Sequence, residues 1–280
     1  MTPLTCVQAL AAAQHLGLER LDSQLLLLHA LGKPATARSW LLAHDTDELA
    51  QEAMQAFEAF SRRRAAGEPL AYIVGSQEFF GLALQVDARA LVPRPDTETL
   101  VEWSLDLLKS QNLPQVMDLG TGSGAIALAI AHSLKAAGRG VAVTAVDASA
   151  AALSVARENS RRLGLRVEFM ESCWLAQVSG RFDLIVSNPP YIASADPHLA
   201  ALTHEPLQAL AAGVDGLDDI RQIIEQAPAR LLGGGWLLLE HGYDQAERVR
   251  GLLARQGFVQ VQSRLDLAGI ERCSGGQWTR

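Results

Sequence analysis

The chain has 280 residues, of which 49% are hydrophobic and 20% are charged. That is enough to bury one full-sized core and to build a second, smaller unit. It carries 24 Lys and Arg against 31 Asp and Glu, a formal net charge of −7. Such a balance provides no general attraction to the phosphate backbone of nucleic acid, so a nucleic-acid substrate is disfavoured.

The cysteines and the N-terminus indicate a reducing compartment and no membrane segment. The three cysteines are far apart and have no paired spacing, so we expect neither a disulfide framework nor a metal site. Residues Met1 to Leu4 carry no basic stretch ahead of an apolar segment, and the run Leu25–Leu28 is too short to span a bilayer. We therefore expect a cytoplasmic protein, in which the basic runs Arg62–Arg64 and Arg161–Arg162 solvate helix ends.

Residues 1–69 are predicted to form a small helical bundle. Apolar side chains recur there at helical spacing, as in Leu21, Leu25 and Leu28. In residues 70–92 the pattern changes to two short β-type stretches, Gln77–Phe80 and Leu82–Val86, which predict a β-hairpin linker.

From residue 93 to residue 280, strand-like apolar runs alternate with helical segments. The predicted strands, with the helix starts that follow three of them, are Val116–Leu119 with Ser123, Val141–Asp147 with Ser149, Phe182–Ser187, and Trp236–Glu240 with Gln245. Parallel strands need crossover helices, so this alternation predicts an α/β domain with a doubly wound, mostly parallel sheet covered on both faces.

A glycine-rich loop follows the strand that contains Asp118. In an open α/β sheet ligands bind at the carboxyl ends of the strands, and glycines there let the backbone approach a ligand closely. The candidate cofactor-binding residues of this loop are Gly120, Thr121, Gly122, Ser123 and Gly124. The same spacing also satisfies the looser dinucleotide fingerprint, so the loop alone predicts only a nucleoside cofactor.

Asp147 ends the next predicted strand. A carboxylate in that place can accept hydrogen bonds from both ribose hydroxyls of an adenosine cofactor. NAD and S-adenosylmethionine both fit this requirement. The alternative is that Asp147 caps the helix that follows it.

The segment Asn188-Pro189-Pro190-Tyr191 follows the apolar strand that ends at Ser187. Two prolines stiffen the backbone and remove two N–H donors, which leaves carbonyl acceptors beside the Asn188 side-chain oxygen. A planar amide or exocyclic amine nitrogen is a poor nucleophile until acceptors hold its hydrogens and stabilise the positive charge that develops on it. This segment therefore favours methyl transfer to such a nitrogen, with Tyr191 stacking on the planar target.

No general base is required, because the proton becomes acidic only after methylation and can leave to water. We therefore assign neither His204 nor His241 a role as a base and expect both to be structural.

Several further segments resemble one family, the HemK/PrmC protein-glutamine methyltransferases. They are Pro69–Ile73, Gly75, Glu78-Phe79, Pro93–Glu98, Glu205-Pro206, Gly213–Leu217 and Leu238–Gly242, and they accompany the glycine-rich loop and Asn188–Tyr191. The similarity runs from about residue 20 to about residue 270. It implies a Rossmann-like class I methyltransferase fold with S-adenosylmethionine as the cofactor.

The resemblance also implies a substrate, the glutamine side-chain amide in the Gly-Gly-Gln motif of bacterial peptide-chain release factors. The N-terminal helical domain would help to engage this protein, and Asn188–Tyr191 would hold the glutamine. By the same comparison, Trp174 would lie beside the adenine and Asn188 would also contact the cofactor. Cys173 stands where the family often has an acidic residue.

Two alternatives stay open at this point. An adenine amino-methyltransferase acting on DNA or RNA shares the acceptor chemistry but should need a basic groove. A dinucleotide-dependent oxidoreductase or a non-catalytic binding module explains the glycine loop but leaves Asn188–Tyr191 without a role. We expect a monomer that does not bind nucleic acid, and we interpret the triplet Gly275-Gly276-Gln277 as a coincidence rather than a self-methylation site.

Overall fold

The computed structural model describes residues 4–280. Residues 1–3, which contribute to the expectation that no leader segment is present, lie outside this range. The chain divides into two compact units, Met1–Ser76 and Gln77–Arg280. In residues 4–280 no helix is both long enough and apolar enough to cross a bilayer.

The first unit is helical. Its helices are α1 (Cys6–His15), α2 (Arg20–Ala30), α3 (Arg38–Ala43), α4 (Gln51–Ala65) and α5 (Leu70–Val74). Helix α1 begins with a capping box, in which Gln8 N–H donates to Thr5 Oγ1 and Thr5 N–H donates to Gln8 Oε1. A shared apolar core that includes Leu26–Leu28 and Phe57 holds the helices together. The predicted helical bundle is confirmed.

The basic run at the end of α4 is neutralised within this unit. Arg62 pairs with Glu58, Arg63 with Glu68, and Arg64 with Asp22. Cations in the last turn of a helix also interact favourably with the helix dipole. Each arginine of the run thus has an acidic partner within this unit.

The second unit is an α/β structure. It contains α6 (Glu98–Leu108), β3 (Gln115–Leu119), α7 (Ala125–Ala136), β4 (Ala142–Asp147), α8 (Ala150–Leu163), β5 (Glu168–Glu171), β6 (Phe182–Ser187), α9 (Asp218–Gln226), β7 (Leu231–Glu240), α10 (Ala246–Gln256), β8 (Val259–Leu265) and β9 (Glu271–Gln277). Before these comes a short hairpin of β1 (Ser76–Phe79) and β2 (Leu82–Gln85).

Seven strands form the main sheet in the order β5-β4-β3-β6-β7-β9-β8. The strands from β5 to β7 are parallel, whereas β9 is antiparallel to both β7 and β8. The mostly parallel α/β fold is thus confirmed. Since β3, β4, β6 and β7 all run in one direction, their carboxyl ends share one edge of the sheet, where ligands bind in this architecture.

Helices cover both faces of the sheet, and the strand residues alternate between two cores. Val116 and Leu184 pack with α6 and α7 on one face, while Met117 and Ile185 pack with α9 and α10 on the other. Because both faces are buried, the central strands are continuous apolar runs rather than alternating ones.

The triplet Gly275-Gly276-Gln277 lies inside β9. Gln277 pairs with Trp236, whereas Cys273 pairs with Glu240 at the carboxyl end of β7. Four residues of strand separate those pairs, a distance of about 13 Å. Gln277 Nε2 also donates to the Gly234 carbonyl. The triplet therefore lies toward the opposite end of the sheet from the ligand-binding edge, in agreement with the interpretation of coincidence.

Candidate active site

The glycine-rich loop connects β3 to α7 with three left-handed glycines. Gly120, Gly122 and Gly124 have φ values of +67°, +56° and +87°, which residues with a Cβ rarely adopt. A Cβ on Gly120 would lie 3.2 Å from the indole of Trp174, and one on Gly124 would lie 3.0 Å from Leu128. At these three positions the loop has a left-handed backbone that strongly favours glycine, and the lack of side chains leaves its surface open to a ligand.

A cavity of about 230 Å³ opens beside this loop at the carboxyl edge of the sheet. Six of the candidate site residues line it: Gly120, Gly122, Asp147, Trp174, Asn188 and Pro190. The other candidates, Thr121, Ser123, Gly124, Pro189 and Tyr191, lie next to these along the chain but outside the lining. Residues at or just after the carboxyl ends of β3, β4 and β6, which are far apart in sequence, thus line one cavity.

Asp147 anchors the glycine loop. Its Oδ2 accepts from Gly122 N–H at 2.9 Å and its Oδ1 from Ser149 N–H at 2.8 Å. Helix α8 is capped by Ser149, whose hydroxyl accepts from Ala152 N–H, so capping that helix is not the main task of Asp147. Burial raises the pKa of Asp147. The backbone N–H groups of Gly122, Ser149 and Ala148 donate to this carboxylate. A carboxylate offers about four acceptor positions, so acceptor capacity remains for a ligand hydroxyl.

Trp174 forms another wall of the cavity. It has a left-handed backbone with φ +49°, and its Nε1 donates to Asp219 Oδ1 at 3.1 Å. Asp219 lies in the first turn of α9 and also lines the cavity. The sequence reasoning missed Asp219, because it comes 45 residues after the tryptophan that it orients. Cys173 is exposed and lines the cavity too.

Glu205 is bonded to the chain next to residues 89–91 of the cavity wall, and it directly precedes the lining residues Pro206, Gln208 and Ala209. Its buried carboxylate accepts from Val92 N–H at 3.2 Å and pairs with the Arg94 guanidinium. The sequence pattern assigns Glu205-Pro206 no role beyond a resemblance to the family. Because its buried carboxylate pairs with residues 111 and 113 positions away, Glu205 has a structural role.

The charges that line the cavity favour a cationic ligand. Asp147 and Asp219 both line it, whereas Arg89, the one lining cation among residues 4–280, already forms a two-point ion pair with Asp87. Two residues before Gly120, the buried Asp118 has an Oδ1 with no hydrogen-bond partner among the described residues. Electrostatic complementarity therefore favours S-adenosylmethionine, which carries a sulfonium and an ammonium, over the anionic pyrophosphate of NAD.

The Asn188 side chain has a defined orientation. Its Nδ2 donates to Thr97 Oγ1 at 3.2 Å, so its Oδ1 remains an acceptor. The Tyr191 hydroxyl donates to Glu240 Oε1 at 3.3 Å, and burial, together with the Glu240 charge, raises the pKa of Tyr191. Pro189 and Pro190 are buried between these two residues and offer carbonyls without N–H groups.

Two buried carboxyls at the strand ends were not predicted as site residues. Burial raises the pKa of Asp118 to about 7, although the Thr121 hydroxyl and Ala127 N–H donate to it at 2.6 and 3.2 Å. Burial also raises the pKa of Glu240 to about 7. The available signal was an acidic residue within or at the end of an apolar strand, the pattern that did identify Asp147.

These raised pKa values predict a pH-dependent stability. Between about pH 4 and 7 the folded protein retains protons that the unfolded chain releases, so each group lowers the free energy of unfolding as pH rises through that window. For Asp118 we expect a loss of about 2–3 kcal/mol between pH 5 and pH 8. Urea unfolding of the wild type and of Asp118→Asn across this range measures it.

The comparison with Asp118→Asn is needed because His241 changes the free energy of unfolding with pH in the opposite direction. Burial lowers the pKa of His241, so its contribution to stability increases as pH rises. Subtracting the curve of the variant removes that contribution. Stability curves that run parallel from pH 5 to pH 8 would contradict the assignment of a raised pKa to Asp118.

His241 is a structural residue. Its ring nitrogens lie 2.9 Å from the Gly242 carbonyl and 2.8 Å from Ser274 Oγ, and it is fully buried. Neither His241 nor His204 lines the cavity beside the glycine loop. Within residues 4–280 no group of three or more His, Cys, Asp or Glu is placed to hold a metal ion.

Comparison with known proteins identifies the family of this chain. The model of the methyltransferase small domain matches residues 99–213, and the model of the PrmC N-terminal domain matches residues 5–75. The release factor glutamine methyltransferase of Bordetella pertussis is 49% identical, over 93% of this chain and 95% of its own length. The enzyme of that name from Pseudomonas aeruginosa is also 49% identical, over 92% of each chain.

Solved structures share the fold. A methyltransferase from Pyrococcus furiosus superposes with a TM-score of 0.53, at 19% identity, over 72% of this chain and 91% of its own. The 16S rRNA methyltransferase RsmC of Thermus thermophilus, solved with AdoMet and guanosine, gives a TM-score of 0.53 at 21% identity, over 72% and 49%. Since the relatives of known name match along nearly the whole of both chains, the protein belongs to the release factor glutamine methyltransferase family.

Proposed function

We propose that this protein transfers a methyl group from S-adenosylmethionine to the side-chain amide nitrogen of the glutamine in the Gly-Gly-Gln motif of bacterial peptide-chain release factors. The observation that carries the proposal is the orientation of Asn188, whose Nδ2 is engaged by Thr97 and whose Oδ1 is therefore available to accept an N–H of the substrate. The names of the relatives supply the identity of the substrate.

The residues around the cavity fit S-adenosylmethionine. The glycine loop from Gly120 to Gly124 would hold the cofactor, Asp147 would accept its ribose hydroxyls, and Trp174 would lie beside its adenine. When bound, the cofactor supplies a methyl group on a positively charged sulfur, which a nucleophilic nitrogen can attack.

The chain itself makes the amide nitrogen reactive. The Asn188 Oδ1 and the Pro189 carbonyl accept the two amide hydrogens, which stabilises the positive charge that develops on the nitrogen during attack. Pro190 keeps this backbone rigid, and Tyr191 packs against the planar amide. After the new N–C bond has formed, one amide proton leaves to water, so no side chain needs to act as a base.

We infer that the helical residues 1–69 help to engage the release factor and that the linker 70–92 joins them to the methyltransferase domain, residues 93–280. The protein acts in the cytoplasm, as a monomer and without binding nucleic acid directly. The net charge of −7 and the internal pairing of Arg62–Arg64 support the last point.

Transfer of label from S-adenosylmethionine tests the function. A purified release factor should gain one methyl group on the glutamine of its Gly-Gly-Gln motif, and a release factor with alanine at that position should gain none. Peptide mass spectrometry locates the modification. Label on adenine in duplex DNA or in RNA, with none on the release factor, would instead establish the adenine alternative.

A further inference from the structure

We propose that Thr97 and Glu240 are positioning residues that fix which end of the Asn188 carboxamide faces the substrate. Both lie outside the cavity lining, and they act through Asn188 rather than on the substrate. The inference rests on the proposed function, because it concerns the acceptor that holds the target amide.

The chain of bonds begins at Asn188. Its Nδ2 donates to Thr97 Oγ1 at 3.2 Å. Thr97 is the last residue of the short 3₁₀ turn Pro95–Thr97 and is buried. A hydroxyl carries a single hydrogen. If its oxygen is to accept from Asn188, that hydrogen has to be directed to another acceptor.

Glu240 is that acceptor. Its carboxyl group is 1% exposed and lies at the carboxyl end of β7. Its Oε1 accepts from the Tyr191 hydroxyl at 3.3 Å, and a hydrogen bond from the Thr97 side chain lowers the pKa of Glu240. Above its pKa of about 7 the Glu240 carboxyl is mostly ionised, and in that form it accepts and cannot donate. Both hydroxyl hydrogens therefore point toward Glu240, and the Thr97 oxygen is left facing the Asn188 amide.

The charged and titratable groups around Glu240 have opposite effects on its pKa. Arg272 favours its ionised form, whereas Asp96 disfavours it; Cys273 is its paired neighbour on β9 and Tyr191 donates to it. Arg272 is held nearby by ion pairs with Asp96 and Asp266. Burial is the largest effect and disfavours the ionised form of Glu240, and Arg272 opposes that effect.

These hydrogen bonds disfavour one alternative orientation of the Asn188 carboxamide. The oxygen and nitrogen of a carboxamide have almost the same shape, so Asn188 could rotate by half a turn with little steric cost. Thr97 would then donate to Oδ1, and the Asn188 amino group would face the N–H groups of the target amide. The N–H groups of Asn188 and of the target amide would then face each other, and the target nitrogen would lose Asn188 Oδ1 as an acceptor.

Thr97→Val removes the hydroxyl with little change of shape, and Thr97→Ser is its matched control. We expect Thr97→Val to lower kcat about tenfold, the loss that follows from one weakened hydrogen bond of about 1.4 kcal/mol. Its Kd for S-adenosylmethionine, measured by calorimetry, should stay within about twofold of the wild type, given that a tenfold change corresponds to about 1.4 kcal/mol. Thr97→Ser should restore most of the turnover. Wild-type turnover in Thr97→Val would overturn the proposal.

A double-mutant cycle distinguishes positioning from general structural damage. Glu240→Gln introduces an amide that can donate to Thr97, so it should also lower kcat. Because both residues act through one bond to Asn188, the double variant should lose much less than the product of the two single losses. Fully multiplicative losses would overturn the proposal. A wild-type protein that leaves the release factor unmethylated would instead refute the proposed function.

Discussion

Asn188→Ala should lower kcat on the order of a hundredfold or more, by analogy with the loss of one preorganised polar partner in a transition state. The substitution removes the side-chain acceptor that we propose holds one hydrogen of the target amide, while the glycine loop and Asp147 remain in place. We therefore expect a Kd for S-adenosylmethionine close to that of the wild type. Single-turnover kinetics with the release factor and calorimetry with the cofactor measure the two quantities separately.

Ser194→Ala is a suitable control for this variant. Ser194 is exposed and follows Asn188 on the same loop, where its hydroxyl donates only to the Gly213 carbonyl. It should retain the turnover of the wild type. If Asn188→Ala also kept that turnover, acceptor-assisted attack by an amide nitrogen would be the wrong mechanism for this protein.

Asp147→Ala should weaken the binding of S-adenosylmethionine on the order of a hundredfold, since hydrogen bonds to a charged acceptor contribute about 1.5–3 kcal/mol each. The substitution removes the proposed acceptor for the ribose hydroxyls and frees Gly122 N–H, which donates to Asp147 at 2.9 Å. The loss should appear in Kd and KM, and saturating cofactor should restore much of kcat. Equilibrium dialysis with labelled cofactor measures the affinity.

Asp147→Asn provides the matched comparison for this second variant. It keeps one acceptor oxygen and nearly the same shape, so its affinity should lie between those of the wild type and Asp147→Ala. An Asp147→Ala protein that bound the cofactor within twofold of the wild type would exclude Asp147 from the binding site. Together, the Asp147 and Asn188 variants separate cofactor binding from methyl transfer.

Several elements were predictable because their signal is local. The strands ending at Leu119, Asp147 and Ser187 are apolar runs buried on both faces, and each is followed by polar or glycine residues at the sheet edge. The antiparallel strand β9 gave no such signal, because its residues Glu271–Gln277 contain no apolar run. It is a strand because β7 and β8 supply partners on both sides.

The sequence by itself determined the fold class, and it predicted which residues carry the chemistry: the glycine loop, Asp147 and Asn188–Tyr191. These depend on which residue ends a strand, and in a parallel sheet consecutive strand ends necessarily meet at one edge. Only the tertiary structure identified the partners that orient them, namely Asp219 for Trp174, and Thr97 with Glu240 for Asn188. The physical reason is that a hydrogen bond depends on distances of about 3 Å between atoms, and residues such as Thr97 and Asn188, 91 positions apart along the chain, are brought to that distance only by folding.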